Sequence, residues 1–319
     1  MIAFAAAFAF AGYGDPVDGH PNAEERETHA WTNAARVDPE AFGPDYPCGL
    51  EVFSDYEKTP KWPLLWEAGL NEAARYHSQD MYDTNTFSHD SSDGTPFAER
   101  VSRWYASGFV GENIAMGYPT PFSAVIEGWM CSAGHRANIM NGDWEELGTG
   151  VISTYYTQDF GARGVNQTEH PIRMAATTPA NPVSDVTFMV DWYDPNGFGP
   201  TNLTVYLDGE ALPTTLTWGR EDMGMFTATA TLDGGCHTWW AEGTLATGRT
   251  ELFPETGTYG FGPCDFDDAD AQWSARADIE LFADDGILRS WKRGPFGCEQ
   301  APAGWPALAA LALLRRRRR

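Results

Sequence analysis

Apolar residues recur at helical spacing in the first half of the chain and alternate in the second. After Thr120-Pro121, a cap and first-turn pair, Phe122, Val125, Ile126, Trp129 and Met130 form one inward stripe. Ser132 is expected to cap a short following helix with His135 at its third position, and Asn141-Gly142 supplies a left-handed stop. Nearer the start, Asn22 caps a helix with Glu24-Glu25 in its first turn and Ala30, Trp31, Ala34 and Ala35 on the buried side. Pro63 to Asp83 predicts another, with the stripe Leu70, Ala73, Ala74, His77 and Met81. From about residue 180 the period drops to two. Val186, Phe188, Val190 and Trp192 alternate with Asp185, Thr187, Met189 and Asp191, and Leu203, Val205 and Leu207 repeat the pattern. Further strands are predicted at 226–232 and 236–245, with turns at Asp194-Pro195-Asn196-Gly197 and Asp233-Gly234-Gly235. Helices followed by short strands predict an α+β chain whose later part, about 180–264, is an antiparallel β-sandwich of immunoglobulin type. The Gly, Asn, Thr and Pro usage of 161–179 reads as a linker.

At 319 residues the chain has room for two cores. Its 45 acidic against 21 basic residues, a net charge of −24, argue against nucleic acid or an anionic membrane face as partner. Residues 1–11, ending in Ala9-Phe10-Ala11, read as the apolar part of a signal peptide (1–12) without its basic start. An exported chain favours disulfides over free thiols. There is no G-x-S-x-G, H-E-x-x-H or phosphate-loop motif. The run Asp265 to Asp270 fails the calcium-loop template, and 265–297 reads as an acidic linker.

Three histidines stand out. His77 sits on an apolar helical stripe and is expected as a hydrogen-bonded core residue. His89 lies in Phe87-Ser-His-Asp-Ser-Ser-Asp-Gly94, where a turn lets it reach a site. His135, in the first turn of its helix, should stay neutral because the positive helix end opposes a second positive charge.

These residues fall within an ordered set of motifs: W-T-N-A-A-R (31–36), H-S-Q-D-M (77–81), F-S-H-D-S-S-D-G (87–94), G-E-N-I-A (111–115), W-M-x-S (129–132), G-H-R-A-N-I-M (134–140) and G-x-G-V (148–151). The set, over about residues 24–160, resembles the bacterial branch of the CAP (SCP) superfamily. The resemblance implies a three-layer α-β-α sandwich in which His89, Glu112 and His135 converge in a central cleft. Two imidazoles and a carboxylate form an open arrangement for zinc or another divalent cation. The animal proteins of the family end the preceding helix in W-Y-x-E. Here Met130, Cys131 and Ser132 follow Trp129, so the second acid is missing; Glu99 and Glu127 do not match its place.

With one acid gone, a general acid/base pair is harder to build. The resemblance therefore implies first a binding or interaction module without established catalysis, meeting a lipid, glycan or protein at the cell surface. The alternatives are a metal-assisted hydrolase, a peptidase or cell-wall enzyme with Glu112 as base, and an adhesive scaffold that recognises its partner through the β-sandwich. Export favours pairing Cys48 with Cys131 over a Cys131–His135 nucleophile, and Cys236 with Cys264. Cys298 is left over. It precedes an apolar run and Arg315 to Arg319, so that 298–319 resembles the MYXO-CTERM sorting tail, which implies cleavage near Cys298, transient membrane contact and surface retention.

Overall fold

The computed structural model describes residues 12–276 and the backbone of two short strands beyond them. The cap signals near the start act as expected. Asn22 and Glu25 form a reciprocal capping box on α1 (Ala23–Val37). A four-residue helix α2 (Asp55–Lys58) precedes β1 (Leu65–Trp66) and α3 (Ala68–Thr84), which ends at Asn85 in the left-handed region, φ 50°. A short helix α4 (Phe97–Val101) leads to β2 (Val110–Met116). The predicted stripe from Phe122 forms a π-helical segment over Ser123–Trp129, and α5 (Ala133–Ile139) follows. Ser132 starts α5 but its hydroxyl makes no cap bond, and α5 ends on Met140 at φ −90°. The expected left-handed stop at Asn141-Gly142 is therefore not used.

The first sheet adds β3 (Glu146–Ile152) and β4 (Tyr155–Gly161) in the order β1-β3-β4-β2, parallel only between β1 and β3. Gly148 and Gly150 explain the alternating glycines of β3. A Cβ at either would sit 2.0 Å from the backbone of Leu70 and Asn71 or 2.3 Å from that of Ala74, so only glycine lets α3 lie this close. On the opposite face, Thr149 donates to the Glu25 carbonyl and Gln158 to the Thr32 hydroxyl, which places α1 there. Helix, sheet and helix form three layers.

A second face of α1 is covered as well. Every residue of α1 except Glu24 is buried. One sheet of the later chain runs β5-β6-β10-β9, with β5 (Ala175–Thr178), β6 (Asp185–Tyr193), β9 (Thr215–Arg220) and β10 (Met223–Thr231). Glu27 of α1 accepts from Thr178 and from the Ala180 amide, both at 2.7 Å, and Trp31 meets Trp218 at 5.7 Å between ring centroids. The other sheet runs β14-β13-β11-β7-β8, with β7 (Asn202–Leu207), β8 (Glu210–Pro213), β11 (His237–Thr244), β13 (Gly257–Phe261) and β14 (Trp273–Ala275); β12 (Thr250–Phe253) pairs with β11. All pairings in both sheets are antiparallel, and Phe188 meets Trp239 edge-on at 5.4 Å between them.

The stretch read as a linker, 161–179, thus contains β5 and the buried residues Ile172, Arg173 and Met174. Likewise β14 lies inside the acidic stretch 265–297, because the acidic residues flank Trp273, which bridges back to Asp268. Burial of the interleaved apolar residues overrides the polar composition of both stretches. A second compact unit begins at Arg276; its described part is the hairpin of β15 (Leu281–Phe282) and β16 (Leu288–Arg289). Residues 1–11, Cys298 and the terminal arginines lie outside the described residues. Among the described residues no helix is long and apolar enough to cross a membrane.

Asp191 of β6 is the polar joint between α1 and this sheet. It is fully buried and accepts from the Arg173 and Met174 amides at 2.7 and 2.9 Å and from Asn33 of α1 at 2.6 Å. Burial nevertheless pushes its carboxyl up to about 7. The folded value exceeds the unfolded one of about 3.9, so its contribution to stability is full below that value and is lost as pH rises towards 7. Replacing the acid with an amide removes this loss. Urea melts should therefore show Asp191→Asn gaining on the wild type by more than ~1 kcal/mol between about pH 4 and 8. A difference that does not change with pH would contradict it.

Candidate functional site

The cleft is assembled from four pieces of chain. His89 comes from the loop after α3, Arg100 from α4, Glu112 from β2 and His135 from the first turn of α5. Glu112 is the hub. Its side chain is 1% exposed, and its two oxygens have different partners: His89 Nδ1 lies 2.8 Å from Oε1, while the Arg100 guanidinium donates to Oε2. Arg100 is fully buried and also donates to the His89 carbonyl at 2.9 Å and the Ser91 hydroxyl at 3.3 Å. The guanidinium therefore ties the His89 loop to the sheet.

The asparagines of the two central motifs lock α5 against β2. Asn113 donates to the His135 carbonyl at 3.1 Å and to Gln158 at 3.0 Å, and Asn138 donates to Asn113 at 2.9 Å and to the Glu112 carbonyl at 3.1 Å. Arg136 anchors the outer side of α5 through the Met130 carbonyl and Glu57, both at 2.9 Å. The Cys48–Cys131 disulfide, spanning 83 residues, fastens the N-terminal loop beside it. Closing such a loop contributes about 4–5 kcal/mol in the chain-entropy description. The second disulfide is Cys236–Cys264.

The two cleft imidazoles are pushed in opposite directions. The hydrogen bond to Glu112 raises the pKa of His89, whose side chain is 52% exposed. Burial lowers that of His135, and the nearby His89 lowers it further. Burial, more than the helix end invoked from sequence, thus keeps His135 neutral. His77 is fully buried, bonded to the Ser88 carbonyl at 2.9 Å, and held low by burial.

An acid that sequence reasoning missed completes the cluster. Asp159 of β4 stands directly opposite Glu112 in the strand register and is fully buried. Burial first, then the charge of Glu112, raises its pKa well above the usual carboxylate range and favours its neutral form. Glu99 and Glu127, the other acids available in sequence, are not hydrogen-bonded into this cluster. Asp159 and Arg100 do carry a signal in the sequence. Each is an ionisable residue set among positions whose apolar neighbours, Phe160 and Val101, are buried.

His89 and Glu112 are thus joined, and His135 feels the charge of His89. Among the described residues, however, no three His, Cys, Asp or Glu side chains converge as a group able to hold a metal ion. Both oxygens of Glu112 are already engaged, one by His89 and the other by the Arg100 guanidinium. An open groove of about 580 Å³ along α3, lined by Glu72, Tyr76, Asp80 and Trp104, includes none of the cleft residues.

A histidine and a carboxylate held between a sheet and the helices packed on it define this part of the chain as a cleft-bearing α-β-α domain. Residues 30–163 match the family model described as CAP, the cysteine-rich secretory protein family, which supports a CAP domain in this part of the chain. Two Bacillus subtilis proteins are similar over this region. The uncharacterized membrane protein YlbC is 40% identical over 98 residues, 30% of this chain and 28% of YlbC, and the uncharacterized protein YkwD is 41% identical over 101 residues, 31% and 39% of the two chains. The chain spans about a third of the length of these relatives. A solved extracellular protein of Bacillus anthracis containing an SCP domain is 39% identical, covering 31% of this chain and 34% of that one, with a TM-score of 0.30.

Removing Glu112 strands a buried guanidinium, whereas His89 is half exposed. Glu112→Ala should therefore cost about 3–5 kcal/mol in a urea melt, and His89→Ala less than about 1 kcal/mol. Equal, small losses would contradict the assignment of Glu112 as hub.

Proposed function

We propose that this is an extracellular CAP-domain protein whose cleft binds a neutral hydrogen-bonding group of a cell-surface glycan or peptide. One observation carries the reading: a half-exposed imidazole, His89, is held through Nδ1 by a buried carboxylate, with Nε2 left to meet a ligand. Beside it the neutral His135 offers a second, uncharged contact. Such a pair suits a hydroxyl or amide better than a free cation or anion. The extracellular description of the B. anthracis protein supports the location. The signal peptide at 1–12, sorting at Cys298 and an immunoglobulin-type assignment for 180–264 belong to the same reading.

A second reading rests on the same pair. An imidazole backed by a carboxylate is the arrangement of a general base, and His89 with Glu112 would then activate water in a hydrolase. The two readings separate in one experiment. The full chain is mixed with peptidoglycan fragments as the probe, binding is followed by calorimetry and products by mass spectrometry, beside His89→Ala/His135→Ala. Binding without cleavage, weakened at least about tenfold in the variant, a loss of about 1.4 kcal/mol, is the expected result. Cleavage that the variant abolishes would replace the binding reading with the hydrolase, and binding that ignores both histidines would remove the cleft from the account.

A further inference from the structure

We propose that Arg100 is the resident cation of this cleft, its guanidinium standing where a divalent metal would meet Glu112, so that the site assembles without metal. The inference deepens the reading above by naming what organises the same cleft. A carboxylate with a 1% exposed side chain needs a countercharge, and Arg100, itself fully buried, supplies it at Oε2. The other oxygen is taken by His89 Nδ1 at 2.8 Å. A metal binding Glu112 would have to displace the guanidinium or share one carboxylate with it, bringing two cations into contact in a poorly solvated place. What remains for a metal is the outer nitrogen of His89 and His135, two ligands where an open zinc site takes three.

Arg100 also does what a metal would do mechanically. One guanidinium binds the sheet through Glu112 and the loop through the His89 carbonyl and the Ser91 hydroxyl, so that the imidazole and its carboxylate are fixed together. A planar fork can make these contacts at once; a lysine ammonium keeps the charge but not the fork. Asp159, opposite Glu112 on β4, is kept neutral by burial and by the charge of Glu112, so the countercharge of Arg100 is left to Glu112.

The test is a zinc titration by calorimetry on the full chain, with five proteins: wild type, Glu112→Gln, Arg100→Met, Arg100→Met/Glu112→Gln and Arg100→Lys. The wild type should bind zinc weakly and with no dependence on Glu112. Arg100→Met should gain at least about tenfold in affinity, and the double variant should lose that gain. The double variant matters because removing a positive charge alone would favour zinc without involving Glu112. Tight one-to-one binding by the wild type, lost in Glu112→Gln, would overturn the proposal, as would a folded Arg100→Met that gains nothing. If Arg100→Met does not fold, Arg100→Lys decides by hydrogen exchange. Amides of residues 88–91 should exchange at least about tenfold faster than in the wild type, and unchanged protection would overturn the positioning role. Peptidoglycan binding by the wild type should be indifferent to EDTA. Absence of that binding would defeat the functional reading while leaving the zinc result intact.

Discussion

A carboxylate taken out of water must keep a countercharge, and the cleft is built around that constraint at Glu112. Arg100 meets it from one side and His89 from the other, so the buried pair decides where the His89 loop rests and which imidazole nitrogen is left over. The remaining polar contacts serve the same end. Asn113 and Asn138 hold α5, and therefore His135, at a fixed place along β2. Because His89 gains a partner on folding, its raised pKa links stability to pH in the usual histidine sense. The contribution is full below its ordinary value of about 6.5 and is lost as pH rises through the folded value.

Helix α1 carries the second constraint. It lies between the first sheet and the sheet of β5, β6, β10 and β9, and both faces are closed. A helix buried all round should be apolar, yet α1 carries Glu25, Glu27, Asn33 and Arg36, each tied to a neighbouring element. Those ties are directional, whereas apolar packing is not. Those of Glu27 and Asn33, to Thr178, Ala180 and Asp191, cross to the β-rich region and give its interface with the α-β-α domain a specific register. The later region therefore acts as the outer wall of α1 as well as a two-sheet body of its own.

Much of the local structure was legible because single residues announced it. Asn22 with Glu25 gave the start of α1, the period-two run from Asp185 to Asp191 lies within β6, and both expected disulfides form. His89 and Glu112, 23 residues apart, were brought together only by resemblance, since no local pattern encodes a contact across a loop and a strand. Arg100 and Asp159 were missed for a related reason. A charged residue reads as surface until its partner is known, and the partner of both is Glu112. The stretch 161–179 was misjudged by composition: Ile172 and Met174 are too few to show a periodicity, and β5 becomes visible only once β6 is there to pair with it.

The most direct test of the Glu112 hub is a pH titration of the histidine side chains by proton–nitrogen NMR. The account predicts that His89 carries its proton on Nδ1 in the neutral form and titrates above the ordinary value of about 6.5, with His135 below it. Glu112→Gln should return His89 towards the ordinary value. A His89 that titrates at or below that value in the wild type, or carries its proton on Nε2, would contradict the claim that Glu112 holds it.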